Sequence, residues 1–257
     1  MRRPYVIAHR GISGRYPENT LLSFQKAIEA KTDWIELDVH MTADGNVIVS
    51  HDWTADRCTD GHGAFNTMTL QQVKQLDAGI RRGAEFAGTR IPTLEETLDF
   101  MGDGRIRMCI EIKGKETGDN LRVAWETVKL LQKYNCLQYV VLSSYNPETL
   151  CTLKTWEPLI ATSLDPTPQD GSFTPWELCQ QVLKYNINAM MHDYSKITPE
   201  LIDEAHQHGF SLWTWTVNKP DEMRQIIAME PDAIMTDHAD VLLKIVDEMV
   251  PARTSTP

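Results

Sequence analysis

Residues 5–24 read YVIAHRGISGRYPENTLLSF, and they hold a strand, a glycine-bearing loop and the start of a helix, in that order. Tyr5, Val6, Ile7 and Ala8 form a short apolar run with β-branched members bounded by a glycine turn, which fits a buried strand better than a helix. His9 and Arg10 follow at its carboxyl end. Gly11 and Gly14 allow a sharp turn or a close approach to a ligand. Residues 17–20 (PENT) read as a helix entry, with Asn19 the expected cap of an amphipathic helix over TLLSFQKAIEAK. A titratable ring and a permanent cation therefore stand in a strand-to-helix loop, the place where parallel α/β folds bind ligands.

The same unit recurs along the chain. Strand-like runs lie at 33–39 (DWIELDV), 105–113 (RIRMCIEIK), 138–144 (QYVVLSS), 158–164 (PLIATSL), 187–193 (INAMMHD), 210–217 (FSLWTWTV) and 232–237 (DAIMTD). Amphipathic stretches separate most of them, several opening on proline and one followed by Gly209. Eight alternating units predict a (β/α)8 TIM barrel, with a doubly wound open sheet as the alternative. One interval breaks the rhythm: residues 39–105 run far longer than one helix needs. They contain an Asp-Gly turn and short strand in TADGNVIVSHD, a polar glycine-bearing middle, and a delayed helix in TLEETLDFM. Residues 52–92 are accordingly expected to form a small insertion after the second strand, over the barrel mouth. The expected organisation is one barrel domain over 1–250 and a frayed tail, PARTSTP, at 251–257.

Bulk composition narrows the function. The 257 residues are 42% hydrophobic and 24% charged, ordinary for a globular protein, and carry a net charge of −11. Such an acidic chain is a poor match to nucleic-acid phosphates, so an anionic substrate would have to be met locally by Arg, Lys or a metal. The five cysteines show no C-x-x-C spacing, which suggests neither a disulfide framework nor a thiolate zinc site. A reducing compartment is expected. No apolar run approaches the ~18 residues of a membrane helix, and no secretory h-region precedes the first strand, so the expected location is cytoplasmic without stable membrane insertion. The oligomeric state is not indicated.

Strand alternation then places chemistry. In DWIELDVH, Trp34, Glu36 and Asp38 share one face and Ile35, Leu37 and Val39 the other. In MCIEIK, Cys109, Glu111 and Lys113 share a face opposite Met108, Ile110 and Ile112. If the apolar faces meet the outer helices, three acids and a lysine point into the barrel near its carboxyl rim. Carboxylates converging in a partly dry site raise one another's pKa unless a cation sits among them. All-oxygen ligation suits Mg²⁺ or Ca²⁺. Structural ion pairs with nearby arginines are the competing account of each acid alone. His51 in VSHD ends a strand just as His9 does, and two histidines flanking a substrate can serve as base and acid. His40, His62, His192, His206, His208 and His238 are read as ordinary hydrogen-bonded histidines. Arg10 offers a planar fork for phosphate oxygens and Lys113 a compact charge beside the metal. Trp213 and Trp215 share a face; Trp215, nearer the rim, is the candidate substrate wall.

Taken together, HRG with PENT at 9–20, ELDV with T-x-DG and V-x-SHD over 36–52, EIK at 111–113, SSYN at 143–146 and LWTWTVN at 212–218 make the sequence resemble the glycerophosphodiester phosphodiesterase family. The motifs run in the family's order along nearly the whole chain. TDHADVL near the end departs from it in its histidine and alanine. The resemblance implies a (β/α)8 barrel with a small region inserted after the second strand. It also implies a divalent cation held by Glu36, Asp38 and Glu111, with His9 and His51 as the acid/base pair and Arg10 and Lys113 near the phosphate. The implied reaction is hydrolysis of a small glycerophosphodiester, such as glycerophosphocholine or glycerophosphoethanolamine, to an alcohol and glycerol 3-phosphate. His9 is assigned as base and His51 as acid, an order that could be reversed, and the nucleophile is either water or the adjacent glycerol hydroxyl. A lysophospholipase D or phosphoinositide-type phospholipase is the alternative within the same barrel class.

Overall fold

The computed structural model describes residues 1–102, 106–114, 118, 120–166 and 174–250. Eight parallel strands, β1 (Tyr5–Ala8), β2 (Trp34–Met41), β4 (Arg107–Ile112), β5 (Val140–Ser144), β6 (Ala161–Leu164), β7 (Ala189–Asp193), β8 (Ser211–Trp215) and β9 (Ala233–Thr236), form one sheet. It closes because β1 pairs with both β9 and β2. One extra strand, β3 (Val47–Val49), pairs antiparallel with the end of β2. Between strands run α1 (Leu21–Glu29), α3 (Leu94–Met101), α4 (Asn120–Lys133), α5 (Pro147–Trp156), α6 (Pro175–Lys184), α7 (Pro199–Gln207) and α8 (Pro220–Ala228), with α9 (Ala239–Met249) after the last strand. This is the TIM barrel the alternation predicts.

Side-chain parity divides the core in two. Ile7, Trp34, Cys109, Val141, Ala189, Met191, Trp213, Ala233 and Met235 fill the barrel interior, where Trp34 and Trp213 meet edge to face with ring centroids 5.3 Å apart. Ile35, Leu37, Val39, Ile110, Leu142 and Ile234 point outward into the larger core shared with the helices. Each Val, Leu or Ile so buried contributes roughly 1.5–3 kcal/mol. Glu36 and Asp38 therefore continue the inward face above Trp34.

Four helices, α5 to α8, carry proline in their first turn, where the missing N–H costs nothing. Gly209, with φ +78°, follows α7. The long interval after β3 contains 3₁₀ turns at Phe65–Thr67 and Ala84–Phe86 and the one-turn helix α2 (Leu70–Val73). It has its own small core of Ile48, Ala55, Phe65, Val73 and Ile91. The delayed helix is α3, opened by a Thr93/Glu96 capping box.

Three expectations are corrected. The cap of α1 is Thr20, whose hydroxyl accepts from the Ser23 N–H at 3.3 Å, whereas Asn19 takes left-handed φ of +56° and turns its amide to Asp38. From β4 onward the strands are shorter than their apolar runs, β6 starting only at Ala161 and β8 ending at Trp215. Residue 105 and the tail 251–257 lie outside the described residues. Among the described residues no helix is long and apolar enough to cross a membrane, and all five cysteines are free.

The loop bearing His9 and Arg10 depends on Gly11, whose φ is +81° and whose added Cβ would lie 2.7 Å from the Ser23 backbone carbonyl carbon. Gly11→Ala is expected to lower stability by more than about 1 kcal/mol, read as a fall in the urea midpoint at unchanged slope.

Candidate active site

The strand register sets the acidic cluster. Parallel pairing places Glu36 beside Cys109 and Asp38 beside Glu111 on β2 and β4. One carboxylate oxygen from each of Glu36, Asp38 and Glu111 falls within 4.8 Å of the others. Glu36 and Asp38 are 2% and 1% exposed. Burial, together with the Asp38 charge, pushes the Glu36 carboxyl well above the usual range, and burial likewise raises Glu111. Burial acts in the same direction on Asp38, but the Lys113 and Arg10 charges overcome it and hold that carboxyl well below the usual range.

Two cations compensate the cluster. Lys113 Nζ lies 2.7 Å from Glu111 Oε1 and 3.2 Å from Asp38 Oδ1. Arg10 Nε lies 3.3 Å from Asp38 Oδ2, and the Arg10 backbone N–H donates to Glu36 Oε2 at 2.9 Å. Asn19 Nδ2 donates to Asp38 Oδ2 at 2.8 Å. Even so, Asp38 Oδ1 and Glu111 Oε1 are buried without a hydrogen bond of sound geometry. Oxygens left in that state, in a set of hard donors alone, fit a divalent cation of the Mg²⁺ or Ca²⁺ type.

Each histidine is anchored by an aspartate. His9 Nδ1 lies 2.6 Å from Asp237 Oδ1, and Asp237 also accepts from Ser13 Oγ at 2.8 Å and Asn218 Nδ2 at 2.7 Å. His51 Nδ1 lies 2.7 Å from Asp52 Oδ1. Burial lowers the His51 pKa below its ordinary value. Arg57 then joins two acids, donating to Asp52 Oδ2 at 2.6 Å and to Glu18 Oε1 at 2.7 Å, and Glu18 Oε1 also accepts from Arg10 at 2.9 Å. An alternating chain of charges runs from His51 to the acidic cluster.

His9, Arg10, Glu36, His51, Glu111 and Trp215 all line one cavity of ≈ 100 Å³. Asp38 and Lys113 sit against its acidic wall, bound to Glu111 and Arg10 as described. Trp213 lies deeper, in the barrel interior. Sequence reasoning did not single out Tyr145, Asp165, Met191, Thr216 or Met235, which line the same cavity, nor Asp237, Asp52, Arg57 and Glu18, which orient the lining. A signal existed for two of them: Tyr145 stands in SSYN just past β5, and Asp237 directly follows β9 as His9 follows β1.

Comparison with known proteins identifies the family. The model of the "Glycerophosphoryl diester phosphodiesterase family" matches residues 9–241. A glycerophosphodiester phosphodiesterase of Caldanaerobacter subterraneus subsp. tengcongensis is 38% identical over 243 residues, covering 94% of this chain and 97% of that protein. One from Bacillus subtilis is 32% identical over 256 residues, covering 95% and 86%. Among solved structures, an Oleispira antarctica phosphodiesterase in complex with the product sn-glycerol-3-phosphate superposes with a TM-score of 0.85 at 27% identity, covering 95% of this chain and 97% of that one. The fold alone is shared with an Agrobacterium tumefaciens glycerophosphodiester phosphodiesterase at 23% identity and a TM-score of 0.80, over 94% and 99% of the two chains. With the family's model spanning the barrel from His9 to the start of α9, the chain belongs to the glycerophosphoryl diester phosphodiesterase family.

Proposed function

We propose that this chain hydrolyses small glycerophosphodiesters, glycerophosphocholine and glycerophosphoethanolamine among them, to an alcohol and sn-glycerol 3-phosphate. The observation that carries the reading is one cavity holding two aspartate-anchored histidines beside three converging acids. Family membership makes the chain a phosphoric diester hydrolase. Glu36, Asp38 and Glu111 would hold a divalent cation, Mg²⁺ or Ca²⁺, which when bound would neutralise the charge that builds on the phosphoryl oxygens.

The chain's own residues do the rest. Arg10, whose guanidinium is fixed between Glu18 and Asp38, presents a permanent charge to the phosphate without having to reorganise. Lys113 adds a second positive charge from behind Glu111. With Nδ1–H directed at its aspartate, each histidine leaves Nε2 to exchange a proton with substrate. His9 removes the proton of the nucleophile, water or the adjacent glycerol hydroxyl, and His51 protonates the departing alkoxide; where the glycerol hydroxyl attacks, the same pair in reversed roles adds water to the cyclic phosphate that results.

His9→Ala and His51→Ala are each expected to lower kcat/KM on glycerophosphoethanolamine by about 10²–10⁴ with an unchanged circular dichroism spectrum. A p-nitrophenyl diester, whose leaving group needs no proton, separates the two: His51→Ala should keep most of its rate there and His9→Ala should not. Equal losses on both substrates would refute the assignment. Exhaustive chelation should abolish turnover, with Mg²⁺ or Ca²⁺ restoring it; activity that survives chelation would exclude the acidic cluster as a required metal site.

Asp237 gives a pH test. Burial opposes its charge, but the hydrogen bond from His9 and those from Ser13 and Asn218 outweigh burial and hold the carboxyl below the usual range. A depressed folded-state pKa stabilises above the unfolded value, about 3.9, and that stability is lost as pH falls through the folded value. Asp237→Asn should therefore be less stable than the native chain at pH 7 and at pH 5 alike, and the gap in urea midpoint should narrow below about pH 4. A gap that widens on acidification would contradict this.

A further inference from the structure

The cavity has two unlike halves. One carries the acids, Arg10 and the histidines; the other is walled by Tyr145, Met191, Trp215 and Met235 around the carboxyl group of Asp165. Asp165 directly follows β6, and its backbone N–H donates to the Ser144 carbonyl at 3.2 Å, which fixes where the side chain leaves the sheet. It is 5% exposed. Among the described residues no lysine, arginine or histidine forms an ion pair with it.

A carboxyl group sunk this far without a cation needs hydrogen-bond partners. The Tyr145 hydroxyl and the indole N–H of Trp215 are the donors that come near it, neither in a hydrogen bond of sound geometry, and the indole nitrogen is buried. The apolar half of the cavity thus contains one polar locus, with acceptor oxygens and an unused donor side by side. Hydroxyl groups, which donate and accept at once, match it; a bare hydrocarbon or an anion does not.

Charge separates the two halves of the substrate: the glycerol half is a small neutral polyol, whereas a choline or ethanolamine half is a cation. Burial pushes the Asp165 carboxyl well above its ordinary range, which disfavours the anion that a cationic headgroup would need. Trp215 and the methionines meet the carbon face of such a polyol.

We propose that Asp165, with the indole N–H of Trp215, binds the hydroxyls of the glycerol half of the substrate and so sets specificity for glycerol diesters. This rests on the reading of the site as a glycerophosphodiester hydrolase. The test measures binding rather than turnover: calorimetric Kd values for sn-glycerol 3-phosphate, propyl phosphate and ethanolamine phosphate, with Mg²⁺ or Ca²⁺ present, in the native chain, Asp165→Leu and Asp165→Asn. Asp165→Leu should weaken sn-glycerol 3-phosphate by about tenfold or more, the loss expected for unpaired buried hydroxyls, and propyl phosphate, which lacks the hydroxyls, by less than about twofold. Asp165→Asn, of equal size, should weaken the first ligand by about threefold or more, and decides the question if the leucine variant does not fold. Equal loss on sn-glycerol 3-phosphate and propyl phosphate, no loss on either, or a loss confined to ethanolamine phosphate would each overturn the proposal. A native chain that binds sn-glycerol 3-phosphate through Asp165 but splits no diester would refute the proposed activity and leave this assignment standing.

Discussion

Three carboxylates brought to one point inside a protein set the terms for everything around them. Each would cost several kcal/mol to bury alone, and each repels the other two. The fold meets this with two buried cations, Arg10 from the loop after β1 and Lys113 from the end of β4, and with the Asn19 amide on Asp38. Three negative charges against two positive leave one in excess. A doubly charged ion would turn that into a single positive charge, the complement of a phosphodiester monoanion. The same count explains why the site is acidic although its substrate is an anion: the protein supplies the cation's cage, and the chain's overall charge of −11 is no obstacle to local attraction.

The electrostatics also account for the segment after β3. Its Phe65, Val73 and Ile91 pack with Ile48 of β3 in a small core of their own, and that core carries Arg57 to the mouth of the barrel. Arg57 bridges Asp52 and Glu18, which hold His51 and Arg10 respectively. Without that bridge, Glu18 and Asp52 would face each other across the mouth as like charges. His40 contributes from below, its Nε2–H donating to the His51 carbonyl at 3.0 Å. Beyond His51 itself, the segment therefore acts on the site through charge and position.

Strand parity made the barrel and the acidic cluster readable before any coordinates. Trp34, Glu36 and Asp38 alternate with Ile35, Leu37 and Val39, and such a pattern has only one sensible orientation in a closed barrel. What parity cannot supply is pairing across distance. Asp237 reaches His9 only because β9 pairs with β1, a contact spanning 228 positions of sequence. Asp165 was passed over because it stands at the end of a weak strand, where an Asp before Pro reads as a turn. Asn19 was misassigned because Asn is as good a helix cap as Thr by residue type; the choice was made by Asp38, a tertiary partner that needed its amide.

The two histidines look equivalent in sequence, each ending a strand, but their support differs in kind. His51 takes its aspartate from the next residue, so the pair forms wherever the end of β3 is in place. His9 takes its aspartate from the last strand, and Asp237 is itself fixed by Asn218, whose Oδ1 accepts from the Asp237 backbone N–H at 3.0 Å and from Thr236 Oγ1 at 3.1 Å. Loosening β8 or β9 would thus leave His51 oriented and release His9. Of the two proton-transfer groups, only one is coupled to closure of the barrel. It is the one 4.0 Å from Glu36, so closure of the barrel brings the anchored histidine to an acidic cluster that the β2–β4 register sets on its own.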